Sequence, residues 1–305
     1  MRCLTSTNFA VLINGTPSKF FTSSHGIRQG CPLSPLLFIL VIEGLSLLIS
    51  DAREHGLIRG IQVTSSLALT HLLFVDDVIL LGTGTLQEWI AFDVILSTFC
   101  KASGMLISLD KSCFLHCNMD ADILSDIARV LTYKMQPIAF SFKYLGFYIK
   151  PLGYKVCDWH WLILKFENMI CHWAHKMLSM GGRLILVQAV LTSILVYWLG
   201  LAPIPVSVLH NLRSIPFSFL LGSYINKRRY HLANWQTLSW PKENGGWGIM
   251  NLLWFSIALR LKNFWMVLQN NGLWHRVLIS KYLKNVSVVD WLRGKNFSTR
   301  GVSII

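Results

Sequence analysis

The chain has 305 residues, of which 53% are hydrophobic, 14% charged and 12% aromatic, and its net charge is +13 at pH 7. This length and composition allow two folded domains and exclude intrinsic disorder, collagen, a coiled coil and a small disulfide-bonded scaffold. The seven cysteines are scattered and odd in number, which favours a reducing compartment, and the first residues lack the apolar stretch of a secretory signal. We therefore expect an intracellular protein, in the nucleus or cytoplasm, that is not secreted.

Residues 1–150 predict a mixed α+β region in which hairpins outnumber strand–helix–strand crossovers. The Asn14-Gly15 pair marks a tight hairpin, and a loop at 24–35 precedes a predicted helix at 36–53. The segment 69–82 is apolar on both sides of two aspartates, which predicts a tight hairpin of two buried strands. The other predicted elements are helices at 86–102 and 121–131 and strands within 105–116 and 140–149.

Residues 151–305 are predicted to be mainly helical, and they carry the whole charge excess. Residues 1–150 hold 11 basic and 11 acidic residues, whereas 151–305 hold 17 basic and 4 acidic residues and 11 of the 12 tryptophans. A basic, tryptophan-rich region is typical of a protein that binds nucleic acid. Two alternatives are that the positive charges only keep an apolar chain soluble, or that they bind a membrane surface. The predicted helices are 158–178, 183–199, 206–221, 252–269 and 272–281, and the basic loop residues Lys227, Arg228 and Arg229 are candidate nucleic-acid contacts.

One uncharged stretch, residues 184–209, is long enough to cross a bilayer. It contains several polar residues, and Pro203 and Pro205 divide it into an apolar helix of about 17 residues and a broken exit. We therefore expect a buried helix and no membrane, with a membrane protein that uses residues 184–203 as the alternative. A domain boundary is predicted after residue 150, because Pro151 and Gly153 lie where the neutral part of the sequence is followed by the basic part.

Asp76 and Asp77 lie between two apolar tetrads, 72–75 and 78–81, at the tip of the predicted hairpin. Two carboxylates on an apolar support suit a pair of divalent cations, which nucleotidyl transfer uses to clamp the attacking and leaving oxygens. Hard oxygen ligands favour Mg2+, with Mn2+ as an alternative. The same pair also occurs as an ordinary exposed turn, so the motif alone leaves both interpretations open.

Three further blocks contain side chains that suit a nucleotide or a nucleic acid. Residues 26–38 combine a permissive glycine, prolines that stiffen the path into a helix, and polar groups for a base, a sugar or a phosphate. The candidates in this block are Arg28, Gln29, Gly30, Pro32 and Ser34, and helix capping by Ser34 is the structural alternative. Lys111, predicted on a strand, suits a pyrophosphate or triphosphate, or is simply solvated. The aromatic strand 143–148 suits a nucleic-acid backbone, or is a packed edge strand.

The order and text of these four blocks resemble the reverse transcriptases of plant non-LTR retrotransposons of the LINE type. Residues 28–38 resemble the RQG-x-PLSP-x-LF block, and 74–77 resemble the FADD box with Val75 in place of alanine. Residues 103–112 resemble the SG-x-x-IN-x-x-KS block with Ser108 in place of asparagine, and 143–147 resemble the KYLG primer-grip block. The stretches 181–184 and 240–249 resemble the region that follows the palm in these elements.

The resemblance implies a partial right-hand polymerase palm at 1–150, followed by a mainly helical thumb and C-terminal extension at 151–305. It implies an RNA-directed DNA polymerase, a nucleotidyltransferase that uses Mg2+, deoxynucleoside triphosphates, an RNA template and an RNA–DNA hybrid. Asp76 would be the principal metal ligand with Asp77 in support, and Lys111 would lie near the triphosphate. The other implied contacts are Gln29 and Gly30 with the template base and nucleotide, and Tyr144, Leu145 and Gly146 with the primer end.

The resemblance also implies a further metal-binding aspartate ahead of residue 28, whereas the first acidic residue of this chain is Glu43. Loss of one such ligand costs several kcal/mol of barrier, and each ~1.4 kcal/mol is about tenfold in rate. The missing strand would also leave the apolar hairpin with an open edge. We therefore expect a truncated fragment that is catalytically incomplete unless a palm or fingers segment acts in trans. A noncatalytic nucleic-acid-binding relic is the alternative.

Cys157, His160, Cys171 and His175 have a zinc-like spacing. On one continuous helix the two pairs would lie about 16 Å apart along the axis, too far to close a tetrahedron. No glycine or proline breaks the chain between residues 160 and 171, so zinc is not expected.

Overall fold

A computed structural model of the protein describes residues 8–22, 26–27, 30–139, 141–151, 153–174, 178–202, 204–221, 234–269 and 272–283. The chain divides into two compact units, Met1–Phe140 and Ser141–Ile305. This division lies ten residues ahead of the predicted boundary at 150. The reason is that Phe147, on the last hairpin of the predicted palm, is buried in the hydrophobic core of the second unit.

The first unit contains short two-stranded sheets and three helices. Of the sheets, β9–β10 is parallel and the others are antiparallel. The strands are β1 (Asn8–Phe9), β2 (Leu12–Ile13), β3 (Thr16–Pro17), β4 (Phe21–Thr22), β5 (Ile61–Thr64), β6 (Leu67–Leu69), β7 (His71–Phe74), β8 (Asp77–Leu80), β9 (Cys113–His116) and β10 (Lys134–Pro137). The helices are α1 (Ser34–Glu54), α2 (Leu86–Ser103) and α3 (Ala121–Val130).

The hairpin predicted at Asn14-Gly15 is confirmed. Ile13 pairs with Thr16, and the two loop residues both have positive φ, +48° at Asn14 and +85° at Gly15. This conformation is the one that asparagine and glycine tolerate best, and its twist matches that of the flanking strands. The outer strands β1 and β4 continue the same hairpin beyond an interruption of the pairing.

The helices of the first unit confirm the sequence predictions to within two residues at each end. Helices α1 and α2 pack together through buried side chains such as Leu45, Ile49 and Phe92. Strands β9 and β10 pair in parallel and are connected through α3. Strand β10 was not predicted, because residues 134–137 show no hydrophobic alternation.

The second unit begins with the hairpin β11 (Phe142–Tyr144) and β12 (Phe147–Ile149) and is otherwise helical. Its core gathers buried side chains from most of its helices, including Phe166, Leu199 and Leu212. The α-helices are α4 (His160–Ala174), α5 (Met180–Leu186), α6 (Thr192–Leu201), α7 (Val206–Leu220), α8 (Trp235–Leu238), α9 (Leu252–Gln269) and α10 (Leu273–Leu278). A 3-10 turn (Val156–Trp159) leads into α4, and π-helical turns at Val187–Leu191 and Ile279–Leu283 adjoin α5 and α10.

Two helical stretches, Ser34–Glu54 and Met180–Gly200, are long and apolar enough to cross a membrane by length and composition alone. The core helices of soluble proteins meet the same criterion. Only 17% of the apolar window of the first stretch and 28% of the second are buried. The uncharged run 184–209 is divided as predicted, since α6 ends at Leu201 and α7 begins at Val206.

Candidate functional site

The two aspartates lie at the tip of the hairpin β7–β8, as the sequence predicts. Phe74 pairs with Asp77 across the strands, so that Val75 and Asp76 form a two-residue loop. Asp76 and Asp77 are both exposed. Two carboxylates at adjacent positions of a tight turn present hard oxygen ligands to solvent, where a hydrated divalent cation can reach them.

The body of this hairpin is buried on one face only, which corrects the prediction of two fully buried strands. Leu73 and Val78 are half-buried and pack against the core beneath α1 and α2. On the opposite face Leu72 is 38% exposed and Phe74 is 53% exposed. The physical reason is that the two helices cover a single face, and among the described residues β7 and β8 pair only with each other.

The loop that carries Asp76 has a strained backbone. Val75 has a φ of +54°, and its side chain is 66% exposed. A β-branched residue in the left-handed region is a conformational outlier, because its Cβ crowds the adjacent carbonyl groups. Hairpin loops of two residues usually place glycine where φ is positive. Strain of this kind is common at functional turns, where the surrounding structure holds the backbone in place.

Glu88, at the start of α2, anchors the base of the hairpin, and the sequence analysis missed it. Its side chain is only 1% exposed. Oε1 accepts hydrogen bonds from the backbone N–H groups of Arg59 (2.9 Å) and Gly60 (2.8 Å). Oε2 accepts from the backbone N–H and the hydroxyl of Thr83, both at 2.6 Å. Glu88 therefore ties the segment before β5 to the segment that leaves β8.

These hydrogen bonds determine the charge state of Glu88. Burial alone would raise the pKa of the carboxyl, because it penalises the charged form. The hydrogen bonds from Thr83, Gly60 and Arg59 outweigh burial and hold the pKa of Glu88 below its ordinary value. Residues 85–88 have the T-x-x-E pattern, which predicts a capping box at the start of α2. The Thr85 side chain makes no capping hydrogen bond, so the pattern draws attention to Glu88 but predicts the wrong role for it.

A second polar contact joins the hairpin to α1. His71, the first residue of β7, lies with Nε2 3.0 Å from the Ser46 hydroxyl and Nδ1 2.9 Å from the Thr70 hydroxyl. Burial lowers the pKa of His71, and the nearby Glu43 opposes this shift only in part. A neutral imidazole has one donor and one acceptor nitrogen, which suits two hydroxyl partners.

The block before α1 is described only in part. Arg28 and Gln29 lie outside the described residues. Gly30 has a φ of +83°, a backbone conformation that glycine adopts without strain. Pro32 belongs to the turn that precedes the helix. Ser34 is the first residue of α1, and Leu33 occupies the N-cap position.

Lys111 lies in a turn and not on a strand, which corrects the prediction for its block. Helix α2 ends at Gly104, whose backbone is left-handed (φ +73°). The backbone N–H groups of Lys111 and Ser112 both donate to the carbonyl of Ser108, at 3.2 and 3.0 Å. These local bonds replace strand pairing, and β9 starts only at Cys113. The Lys111 side chain is exposed.

The predicted primer-grip residues form the tight turn between β11 and β12 in the second unit. Tyr144 pairs with Phe147, and Leu145 and Gly146 have φ values of +48° and +82°. The Tyr197 hydroxyl donates a hydrogen bond to the Leu145 carbonyl, and the Tyr197 ring stacks on Phe147 at 3.9 Å between centroids. These contacts with Tyr197 of α6 hold the turn in place, and Leu145 remains 39% exposed.

The remaining candidates give no metal cluster in the described part of the chain. No three His, Cys, Asp or Glu side chains converge there as metal ligands. Asp76 and Asp77 are two neighbouring carboxylates whose oxygens suit a divalent cation. The basic run Lys227, Arg228 and Arg229 lies outside the described residues, as does His175 of the zinc-like spacing.

Comparison with known proteins identifies the family of residues 1–149. Residues 1–149 match the family described as reverse transcriptase (RNA-dependent DNA polymerase). Residues 1–149 are a reverse transcriptase domain. This finding confirms the resemblance carried by the four sequence blocks. The fold of the reverse transcriptase domain is the predicted mixture of helices and small sheets, and its family generally uses divalent metal ions, a nucleic-acid template and deoxynucleoside triphosphates.

The relatives place this reverse transcriptase domain among those of non-LTR retrotransposons, with similarity to plant proteins. The chain is 25% identical over 272 residues to a retrovirus-related Pol polyprotein from a type-2 retrotransposable element of Drosophila melanogaster, which covers 82% of this chain and 23% of that protein. It is 39% identical over 122 residues to an Arabidopsis thaliana protein named as a candidate ribonuclease H protein (40% of this chain, 20% of the relative). It is 52% identical over 67 residues to an uncharacterized mitochondrial protein of Arabidopsis thaliana (22% and 55%). The chain thus spans between a fifth and about half of the length of these relatives.

Proposed function

We propose that the first unit is part of the palm of an RNA-directed DNA polymerase and that the second unit is a thumb that binds an RNA–DNA hybrid. The observation that supports the palm is the exposed Asp76–Asp77 pair on a hairpin whose base is anchored by a buried carboxylate, Glu88. The thumb is supported by the charge of residues 151–305, with 17 basic and 4 acidic residues.

Each candidate side chain would have its own role in the reaction. Asp76, with Asp77 in support, would hold Mg2+, or Mn2+ as the alternative. When bound, a divalent cation neutralises charge that develops on the reacting phosphate oxygens. Lys111 would offset the charge of the triphosphate, and Arg28, Gln29 and Gly30 would contact the template and the incoming nucleotide. The turn of Tyr144, Leu145 and Gly146 would position the primer end.

We also propose that the chain by itself binds nucleic acid but does not extend a primer. Two adjacent carboxylates cannot bracket both cations of the nucleotidyl-transfer reaction, and in the described residues no further acidic group joins them. The hairpin β7–β8 has no other strand paired to it there, so its edge is available to a palm or fingers segment in trans. Such a segment would need to bring an acidic side chain to the hairpin tip.

Primer extension on an RNA template, with Mg2+ or Mn2+, tests both parts of this proposal. We expect the full chain to bind the primer–template hybrid, with affinity that falls steeply as salt rises, and to show no extension. Extension that is lost in Asp76→Asn and retained in Asp122→Asn, an exposed aspartate of α3, would refute the incomplete-site argument and support the polymerase. If the folded protein does not bind the hybrid, the proposal that the second unit is a thumb is refuted.

A membrane-associated protein is the competing function, favoured only by the two long apolar helices. The exposed side chains of α1, for example Leu36 at 59% and Leu40 at 71%, support this alternative. We propose instead that the protein is intracellular, in the nucleus or cytoplasm. Alkaline extraction of a cell lysate separates the two functions, because a protein that spans the bilayer stays in the pellet and a nucleic-acid-binding protein does not.

A further inference from the structure

The second unit contains a cavity of about 220 Å³ beside the hairpin β11–β12. Five aromatic rings line it, and we call it the aromatic pocket. The rings are those of Tyr148, Tyr154, Trp159, Trp161 and Trp198. Pockets that are mainly aromatic, with a few polar groups, are the usual form of small-ligand sites. None of these residues belongs to the four blocks that carry the family resemblance, and Tyr148 directly follows the last block.

The rings form a continuous and fixed wall. Centroid distances are 6.2 Å for Tyr148–Trp161, 5.2 Å for Trp161–Trp198, 5.6 Å for Trp159–Trp198 and 5.4 Å for Tyr154–Trp159. Trp159 and Trp198 are buried members of the hydrophobic core, with 1% and 4% exposure. The Tyr154 hydroxyl donates to the Tyr148 carbonyl at 2.6 Å. The pocket is therefore largely preformed, which lowers the entropic cost of binding.

The polar part of the wall is an ion pair. Lys150 Nζ donates to Asp158 Oδ1 at 2.6 Å, and the backbone N–H of Lys155 donates to Asp158 Oδ2 at 2.8 Å. These bonds hold the pKa of Asp158 below its ordinary value, first through the Lys150 side chain and then through the Lys155 backbone. The wall thus offers both donor and acceptor groups with no net charge.

One buried donor at this wall has no partner. Trp159 Nε1 makes no hydrogen bond within the described part of the chain, although the residue is almost fully buried. Buried N–H groups are rarely left without an acceptor, because the loss of hydration is uncompensated. Trp159 lines the pocket, but this nitrogen is itself almost inaccessible, so the residue contributes ring packing to the wall and not a hydrogen bond to a ligand.

These features select the chemistry of the ligand. The Lys150–Asp158 pair carries no net charge that would select an ion, and a purely aliphatic ligand would use neither the ring faces nor this polar edge of the pocket. A planar aromatic ring with acceptors and donors on its edge satisfies both the ring faces and the polar groups. Nucleobases have this chemistry. Lys143, which pairs with Tyr148 across the hairpin, and Lys155, whose backbone binds Asp158, are exposed, and such cations suit the phosphates of a polynucleotide.

We propose that the aromatic pocket binds one unpaired nucleobase of a nucleic acid held by this chain. The proposal rests on the proposed function only in that the chain must bind nucleic acid. A base inside a duplex cannot reach between the rings, so the pocket would distinguish an unpaired nucleotide at the end of a hybrid from a paired one. Tyr148 would act as the outer stacking surface, because it is the most exposed ring of the five at 43%.

The test compares three RNA–DNA hybrids at one salt concentration, with the full chain and with its variants. The hybrids are fully paired, extended by one unpaired nucleotide at the primer end, and extended by one abasic nucleotide that adds the same phosphate. We expect the unpaired base to bind roughly five- to hundredfold more tightly than the abasic nucleotide, which is the range measured for stacking of one base on protein aromatic groups. Tyr148→Ala should abolish this difference between the unpaired base and the abasic nucleotide.

Two controls keep the outcome decisive. Tyr148→Ala preserves the backbone carbonyl that Tyr154 uses, and thermal unfolding followed by circular dichroism checks that the variant is folded. Trp254→Ala removes an exposed ring (68%) outside the pocket and should keep the preference for the unpaired base. The pocket proposal is wrong if the chain binds the unpaired base and the abasic nucleotide equally well, or if Tyr148→Ala keeps the preference for the base. Either result leaves the proposed function intact. Absence of binding to all three hybrids would overturn both.

Discussion

Replacement of Glu88 tests how the aspartate hairpin is held in place. The carboxylate accepts four hydrogen bonds from Arg59, Gly60 and Thr83 and is almost fully buried. In Glu88→Gln the amide keeps one acceptor oxygen and turns its NH2 group toward the other donors. The backbone N–H of one segment then loses its acceptor, and the bonds that remain lose their charge assistance. An unsatisfied buried donor and a lost charged acceptor together cost about 2 kcal/mol of unfolding free energy.

Glu88→Ala removes all four hydrogen bonds and leaves three backbone N–H groups without acceptors, so we expect a larger loss of roughly 3–5 kcal/mol. The matched control is Glu54→Gln, an exposed glutamate at the end of α1, which should change stability by less than about 0.5 kcal/mol. Urea unfolding gives the global effect. Amide hydrogen exchange gives the local effect: in Glu88→Gln, whichever of the Gly60 and Thr83 N–H groups faces the new NH2 group should exchange at least tenfold faster. Unchanged exchange at both amides would refute the anchor.

The same carboxylate predicts a pH dependence. Because the pKa of Glu88 is lower in the folded protein than in the unfolded chain, the unfolded state binds more protons near that pKa. The contribution of Glu88 to stability is then fully present above about pH 4.3, the ordinary glutamate pKa, and is lost as pH falls through the lower folded-state value. We expect wild-type stability to fall more steeply with acidification than that of Glu88→Gln. Parallel pH profiles for the two proteins would contradict this assignment.

Three other substitutions test the remaining structural arguments. Val75→Gly should raise stability by about 0.5–1 kcal/mol, since it relieves a left-handed β-branched residue and removes little packing, and an unchanged urea midpoint would contradict the strain. Gly246→Ala should destabilise the second unit by at least about 2 kcal/mol, because a Cβ there overlaps the Trp240 carbonyl, and hydrogen exchange of the 238–248 loop measures it. Lys150→Met should raise the pKa of Asp158, observed by NMR titration, and an unshifted titration would show that the ion pair has no electrostatic effect.

Several elements could be predicted from local sequence because their signals are local. The Asn14-Gly15 turn, the helix Leu252–Gln269 and the tight hairpin around Asp76 each depend on residues within a few positions of one another. Turn conformations with positive φ and helical periodicity are properties of short segments, so sequence alone suffices. The four ordered blocks identified the family for the same reason, since each block is a continuous run of residues.

Other features depend on distant contacts, or on local bonds that leave no periodic pattern, and were missed or mistaken. Lys111 was placed on a strand, but its N–H group binds the Ser108 carbonyl in a turn. Strand β10 pairs in parallel with β9 although its sequence has no strand pattern. The hairpin 142–149 was assigned to the first domain, yet Phe147 is buried in the second core. In each case the outcome was decided by partners that are remote in sequence or that leave no periodic pattern.

The sequence by itself determined the family, the pair of aspartates and the concentration of positive charge in residues 151–305, because these are properties of residue identity and order. Only the tertiary structure decided that Glu88 anchors the hairpin, that one face of β7–β8 stays exposed, and that five aromatic rings enclose a pocket. Buried hydrogen bonds and ring packing arise between segments up to about fifty residues apart, and their energies depend on distance and burial rather than on composition.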